Sequence, residues 1–282
     1  MKEYPRITIV TPSYNQGPFV ERTIQSVLGQ QYPNLEYIVC DGGSTDETVT
    51  ILKKYADRLS WWCSEPDKGQ ADAINKGMRR ATGDIVGWLN SDDMLLPGAL
   101  YTVARFYQQH PDTDFANGMT VEIDKDDRIL NFTHTVMSRF FFRKGSYNIS
   151  QLGMFWRRDI FRKIGYLDES FHACMDVEWL IRVYEADLRV RRINANLGAI
   201  RIYEGTKTAM QGDAWRRDGE EIRRRYHGQY ARNRSSVYYK LFQLYKFLDG
   251  CFFRNALMKR RYKGRLVSDY AENVVRSRGR FY

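Results

Sequence analysis

Short apolar runs alternate with amphipathic helical segments through residues 1–93, and that alternation constrains the fold most. Ile7–Val10, Leu35–Cys40, Leu59–Cys63 and Ile85–Leu89 are strand-like, while Phe19–Gln30, Asp46–Tyr55 and Gln70–Ala81 carry helical spacing. In the first helix Val20, Ile24, Val27 and Leu28 fall on one face. Ser44 or Thr45 is placed to N-cap the second, and Pro97 suits the first turn of a helix over 97–109. Units of this length fold as an α/β, doubly wound parallel sheet. Ligands of such sheets dock at the carboxyl ends of the strands, so the residues that follow each run are the ones to inspect.

The second half is less regular. Val121–Ile123 and Ile129–Phe132 flank a polar turn, Leu152–Trp156 reads as a strand, and Asp159–Lys163 as a short helix. Met175–Ala186 has a helical stripe of Trp179, Leu180 and Val183, and Leu188–Ile193 and Gly198–Tyr203 read as two further strands. From Trp215 onward the pattern is helical, basic and aromatic, which divides the 282 residues into a body over 1–213 and an extension over 214–282. The body is near neutral, so the net charge of +10 resides in the extension. Such a tail suits an anionic partner.

Four scattered cysteines, Cys40, Cys63, Cys174 and Cys251, form no C-x-x-C pair. Thiolate metal sites and a disulfide framework are therefore disfavoured, and a reducing compartment fits. The first residues show no signal-peptide pattern, and no apolar run approaches the ~18 residues of a membrane span. The expected location is cytoplasmic, with the tail offering a peripheral attachment to the inner face of a membrane.

The polar ends of the strands carry the chemistry. Thr11-Pro12-Ser13-Tyr14-Asn15 follows the first strand and serves equally as a plain turn or as a ligand-lining loop. Asp41-Gly42-Gly43 follows the second. Its glycines let a backbone approach a ligand, and Asp41 could accept the N–H of a uracil or thymine ring or the hydroxyls of a ribose. Asp46 is better explained as a turn or helix cap. Asp72 and Asn75 stand in the first turns of the Gln70 helix, facing the same edge, whereas Glu65 and Asp67 read as a solvated charge cluster. Asn90-Ser91-Asp92-Asp93 is the strongest signal: adjacent carboxylates repel unless a cation lies between them, and hard oxygen donors suit Mg²⁺ or Mn²⁺. Asp176 opens a later helix, where the dipole favours a carboxylate whatever its role.

Thr11–Asn15, Glu21–Gln30, Tyr37–Thr48, Asp67–Gly77, Ala81–Asp93 and Asp176–Arg182, in this order, resemble the family of inverting, nucleotide-sugar-dependent glycosyltransferases known as family 2. The resemblance covers roughly residues 5–205. It implies a GT-A fold, with a Rossmann-like parallel nucleotide-binding half and a mixed acceptor half, here followed by the helical extension. Carried over residue by residue, the Thr11, Pro12 and Tyr14 loop lines the nucleotide, Asp41 meets the base, and Asp72 stands at the same edge. Asp92 meets the ribose or the metal, Asp93 holds a divalent cation, Mg²⁺ or Mn²⁺, and Asp176 is the catalytic base. Gln151 and Trp156 correspond to the segment lining the sugar or acceptor pocket. The chain departs from the family at Asn90, where an Asp is common, so one charge is missing from the metal clamp.

The expected partners are a nucleotide-sugar donor, a UDP-sugar by preference, and a saccharide or lipid-linked saccharide acceptor. Residues 215–282 either dock on an anionic membrane surface or pack on the body with solvated charges. Nucleic acid is not expected, since no recognition motif accompanies the aromatics and arginines. A second class is a non-catalytic scaffold that keeps the nucleotide-sugar fold and binds membrane or polyanion through its tail. A dehydrogenase is disfavoured by the absence of Gly-x-Gly-x-x-Gly after the first strand.

Overall fold

A computed structural model of the chain describes residues 4–146, 149–204, 206, 212–230 and 235–271. Two parallel neighbours flank the first strand: β1 (Ile7–Ser13) lies between β2 (Leu35–Asp41) and β4 (Ile85–Trp88), and β3 (Trp61–Ser64) pairs with β2. All seven residues of β1 are buried, because helices cover both faces. The helices are α1 (Gly17–Leu28), α2 (Thr48–Tyr55) and α3 (Gln70–Arg80). A Cβ on Gly77 of α3 would come within 2.4 Å of Val10 and 3.2 Å of Cys40, so only glycine lets α3 lie this close to the sheet. The register sets Ser13 beside Asp41 and Asp41 beside Ser64, which brings three strand ends to one edge.

Beyond β4 the sheet changes direction. Following β5 (Met94–Leu95) and α4 (Ala99–Gln109), the chain adds β6 (Phe115–Ile123) and β7 (Ile129–Phe132). α5 (Arg139–Arg143), β8 (Met154–Arg157) and α6 (Ile160–Ile164) lead to α7 (Met175–Glu185) and β9 (Val190–Arg201). The strand order is β3-β2-β1-β4-β8-β6-β9-β5, with β7 on β6, and β8 runs antiparallel to both β4 and β6. This is the mixed half expected beside the parallel half.

Three expectations change. The two strands expected over Leu188–Ile193 and Gly198–Tyr203 are one strand, β9. Its pairing with β6 skips from Arg192 to Asn196 and then to Gly198 while β6 advances from Asn117 to Thr120, so bulges absorb the polar residues that looked like a loop. Neither Ser44 nor Thr45 caps α2. The Ser44 hydroxyl donates to Asp41, and Asp46 accepts the backbone N–H of Thr48 at the start of α2 at 3.0 Å and that of Gly17 at the start of α1 at 2.9 Å. The very short β5, unseen in the sequence, pairs Met94 with Ala199 and Leu95 with Gly198, tying the residues after Asp93 to the end of β9.

The extension continues the same body. Helix α8 (Asp213–Arg225) sends Ile222, and the turn after it sends Tyr230, into the core that holds Trp156, Trp179 and Phe142. Helices α9 (Ser236–Leu248) and α10 (Cys251–Tyr262) form a hairpin. Tyr238 of α9 packs on Phe141 and donates to its carbonyl at 3.0 Å, and Tyr262 of α10 is buried beside Tyr270. Among the described residues no helix is long and apolar enough to cross a membrane.

Candidate active site

A cavity of about 750 Å³ opens at the carboxyl edge of β1, β2 and β4. Pro12, Ser13 and Tyr14 form one wall, Gly42 and Gly43 another, and Pro66, Asp67, Gly69 and Gln70 a third. Asn90 to Asp93 make the floor, and Ile200, Arg201, Tyr203 and Thr206 close the far side. This volume suits a small organic ligand.

Asp92 and Asp93 reach the floor because β4 ends at Trp88 and the chain turns at once into β5. Asp93 is 2 % exposed; its Oδ1 accepts the backbone N–H of Arg201 at 2.9 Å. Burial, then the neighbouring Asp92 carboxylate, hold the Asp93 acid well above the ordinary carboxylate range, against the pull of Arg201 and Asn90. The Tyr203 hydroxyl donates to Asp92 at 3.3 Å, and burial followed by the Asp92 charge pushes that phenol up to about 12. Asp67 lines the same cavity and is raised by burial, with Asp72 and Asp41 adding to the effect against the Gly69 amide. Acids with suppressed ionisation gathered in one cleft mark a candidate functional site.

Asn90 binds the floor together. Its Nδ2 donates to Gln151 at 3.1 Å and approaches Asp93 at 3.4 Å, while its Oδ1 accepts from Gln70 at 2.8 Å. Gln151 in turn donates to the Trp88 carbonyl at 2.9 Å. An aspartate in place of Asn90 has no N–H for Gln151 or Asp93, so the departure from the family pattern has a structural use here.

Other expected residues are placed differently. The Thr11 hydroxyl turns inward to Tyr37 at 3.2 Å and is fully buried, so only Pro12 and Tyr14 of the trio line the cavity. Asp41 lies beneath the Gly42–Gly43 loop: Oδ2 accepts from the Ser44 amide at 2.9 Å and the Ser64 hydroxyl at 2.7 Å, and Oδ1 from the Ser44 hydroxyl at 2.5 Å. It shapes the glycine loop, and a Cβ on Gly42 would strike Asp67 at 2.6 Å. Asp72 accepts the Lys68 amide at 3.1 Å and does not line the cavity. Gln151 reaches the site through Asn90. Trp156 does not: its indole is wholly buried between Trp179, at 4.8 Å, and Trp88, at 5.4 Å. The pleat of β8 aims it into the core.

Asp176 stands half-buried in the first turn of α7, with its Oδ1 on the Val177 amide at 2.8 Å, outside the cavity lining. The loop before it is clamped from two sides. Asn75 of α3 donates to the Leu167 carbonyl at 2.9 Å and accepts its N–H at 3.0 Å. Asp218 of α8 accepts the amides of His172, Ala173 and Cys174 at 2.9, 2.6 and 2.9 Å.

Arg201 and Tyr203 carried no motif in the sequence. Arg201 is buried, stacked 4.8 Å over Phe19, with Nε donating to the Asp92 carbonyl at 2.9 Å and Nη1 paired with Asp127 at 2.6 Å. The only available signal was an arginine in an otherwise apolar strand end. Among the described residues no three His, Cys, Asp or Glu side chains form a ready-made metal cage. The Asp92–Asp93 pair does fit a cation that completes its shell with substrate phosphates and water, as Mg²⁺ commonly does.

The family model described as Glycosyl transferase family 2 matches residues 8–176. The PGL/p-HBAD biosynthesis glycosyltransferase of Mycobacterium bovis is 29% identical over 195 residues, 67% of this chain and 73% of that protein. The putative teichuronic acid biosynthesis glycosyltransferase TuaG of Bacillus subtilis is 41% identical over 92 residues, 32% of this chain and 36% of that protein. An uncharacterized glycosyltransferase of Mycobacterium tuberculosis is 39% identical over 94 residues and is likewise matched over 36% of its length, so these last two relatives are matched over about a third of their length. The S. aureus TarS 1-349 structure in complex with UDP-GlcNAc superposes with a TM-score of 0.61 at 19% identity, covering 77% of this chain and 66% of that one. The mannosyltransferase PcManGT of Pyrobaculum calidifontis, in complex with GDP-Man and Mn2+, gives 0.57 at 20% identity, covering 78% and 63%. These likenesses establish the GT-A architecture, and with the family match over most of the body, the chain belongs to glycosyltransferase family 2.

Proposed function

We propose that the protein is an inverting glycosyltransferase that moves a sugar from a nucleoside-diphosphate sugar, a UDP-sugar by preference, to an acceptor hydroxyl. The observation that carries this is the cavity at the strand ends, with a glycine loop on one side and the Asp92–Asp93 pair beneath it. The relatives named for teichuronic acid and PGL/p-HBAD biosynthesis favour surface polysaccharide or glycoconjugate assembly as the setting, with a saccharide or lipid-linked saccharide as acceptor on the cytoplasmic side.

In this mechanism Pro12, Tyr14 and the Gly42–Gly43 backbone enclose the nucleoside. Asp41 holds that loop in place beneath the base, while Asp72 steadies the start of α3. Asp92 and Asp93 are the residues that would hold Mg²⁺ or Mn²⁺. When bound, the ion supplies Lewis-acid stabilisation of the departing diphosphate. Asn90 and Arg201 fix the two carboxylates, and Tyr203 orients Asp92. Asp176 takes the acceptor proton as the acceptor oxygen attacks the anomeric carbon from the face opposite the diphosphate, which inverts that centre. General-base help of this kind contributes about 10²–10⁴ in rate.

The test is a panel of nucleotide sugars with Mn²⁺, measuring release of nucleoside diphosphate and the anomeric configuration of the product. Asp176→Asn is expected to bind donor normally and to stall transfer. Asp93→Ala is expected to lose metal-dependent donor binding. Donor binding without turnover by the wild type, over a broad acceptor panel, would instead favour a scaffold.

A further inference from the structure

We infer that the α9–α10 hairpin is an in-plane membrane anchor that takes an anionic lipid surface. Nine of the thirteen large apolar side chains exposed among the described residues lie on these two helices. Leu241, Leu244 and Leu248 of α9 and Phe252, Phe253 and Leu257 of α10 are each between 48 % and 74 % exposed. An uncovered apolar face on this scale marks an interaction surface.

The opposite side of the hairpin is already committed to the body. Tyr238 is buried on Phe141, with Phe242 and Tyr245 packed beside it, and Tyr262 is buried next to Val267 and Tyr270. The turn between the helices is pinned by Asp249, which pairs with Arg192 and lies 3.1 Å from His134. The outward face is left uncovered by the described residues.

Charge selects the occupant. Lys240, Lys259, Arg260, Arg261 and Lys263 are exposed on and beside the hairpin, and its one acid, Asp249, is paired with Arg192. A second copy would bring the same basic face against itself, which like-charge repulsion opposes. Single-stranded nucleic acid is held by aromatic stacking platforms, whereas five of these nine exposed side chains, Val237, Leu241, Leu244, Leu248 and Leu257, are aliphatic. Basic residues bordering leucine and phenylalanine are the composition of helices that lie in the lipid headgroup region. Twelve residues in α10 and thirteen in α9 are too few to span a bilayer.

The test is co-sedimentation of the full chain with vesicles of phosphatidylcholine alone and of phosphatidylcholine mixed with phosphatidylglycerol. The wild type should pellet with the mixed vesicles, less at high salt. The triple variant Leu244→Asp, Leu248→Asp, Phe253→Asp should partition about tenfold less or weaker still, with an unchanged melting curve. Lys259→Glu with Arg260→Glu should shift binding in the same direction while leaving the apolar face intact. Equal pelleting of wild type and triple variant, or no pelleting of the wild type, overturns the proposal. So does self-association in lipid-free sedimentation velocity that the triple variant abolishes. None of these outcomes depends on transfer activity, so the anchor and the catalytic assignment stand or fall separately.

Discussion

Asp218 caps the start of α7 from another helix: its Oδ2 accepts the backbone N–H of Cys174 at 2.9 Å, together with the amides of Ala173 and His172. The Cys174 position itself supplies no side-chain cap. The helix that carries Asp176 is thus set in place by a carboxylate from the basic extension, while Asn75 holds the same loop from the nucleotide side.

Asp218→Ala is expected to leave three amides without that acceptor and to cost about 1–3 kcal/mol of stability. Because the cavity lining does not include this loop, donor affinity should stay near wild type while turnover falls. Thermal melting, donor calorimetry and initial rates together check this. A parallel loss of donor affinity would show that Asp218 acts on the whole body rather than on the α7 turn. Asp218→Asn, which keeps an acceptor oxygen, should lie between the two.

The parallel half was legible because β1, β2 and β4 are buried on both faces and its helices carry one apolar stripe each. The Asp92–Asp93 pair was legible for the same reason, since an apolar run that stops at two acids marks a strand end. Arg201 and Tyr203 were not, because they arrive through the β5–β9 pairing, a contact spanning about a hundred residues that no local pattern encodes. The face taken by Trp156 was equally hidden. Phe155 and Trp156 both lie on a strand with apolar neighbours on each side, so alternation gives no hint of which one faces a cavity. Asp67, set aside as solvated charge, turned out to line the cavity through the Pro66–Gly69 turn.

Asn90→Asp should destabilise the metal-free protein. The change deletes the N–H donated to Gln151 and sets a third carboxylate beside Asp92 and Asp93. A cost of about 1–3 kcal/mol is expected from the lost partners. Adding Mn²⁺ with UDP should raise the melting midpoint of the variant more than that of the wild type, because the extra charge is then useful. Equal midpoints for both proteins without metal would remove the amide from the account.

Acid should weaken the protein through His134. Burial lowers this imidazole from 6.5 to about 4; Asp249 pulls the other way, while Arg192, Lys246 and Arg254 reinforce the shift. With the folded value below the unfolded one, the folded state binds fewer protons between the two. Its contribution is therefore complete above pH 6.5 and is lost as pH falls towards 4. The slope from one such group is at most about 1.4 kcal/mol per pH unit. Urea midpoints across that window should fall less steeply for His134→Gln than for the wild type, and parallel slopes would assign the acid sensitivity elsewhere.

Trp156 separates packing from ligand contact. It is fully buried against Trp179, Trp88 and Phe115 on the strand that joins the parallel half to the mixed half. Trp156→Ala should cost about 3–5 kcal/mol, as large aromatic truncations in cores do. Trp156→Phe keeps most of the ring volume and should cost less, with donor affinity unchanged in both variants while they remain folded. Gln151→Ala should behave in the opposite sense. It removes the partner that fixes Asn90 and the bond to the Trp88 carbonyl, so metal-dependent donor binding should weaken with only a modest change in melting midpoint. Calorimetry with and without Mn²⁺, set beside the melts, distinguishes the two. A donor-affinity loss for folded Trp156→Phe that matched that of Gln151→Ala would return the indole to the sugar pocket.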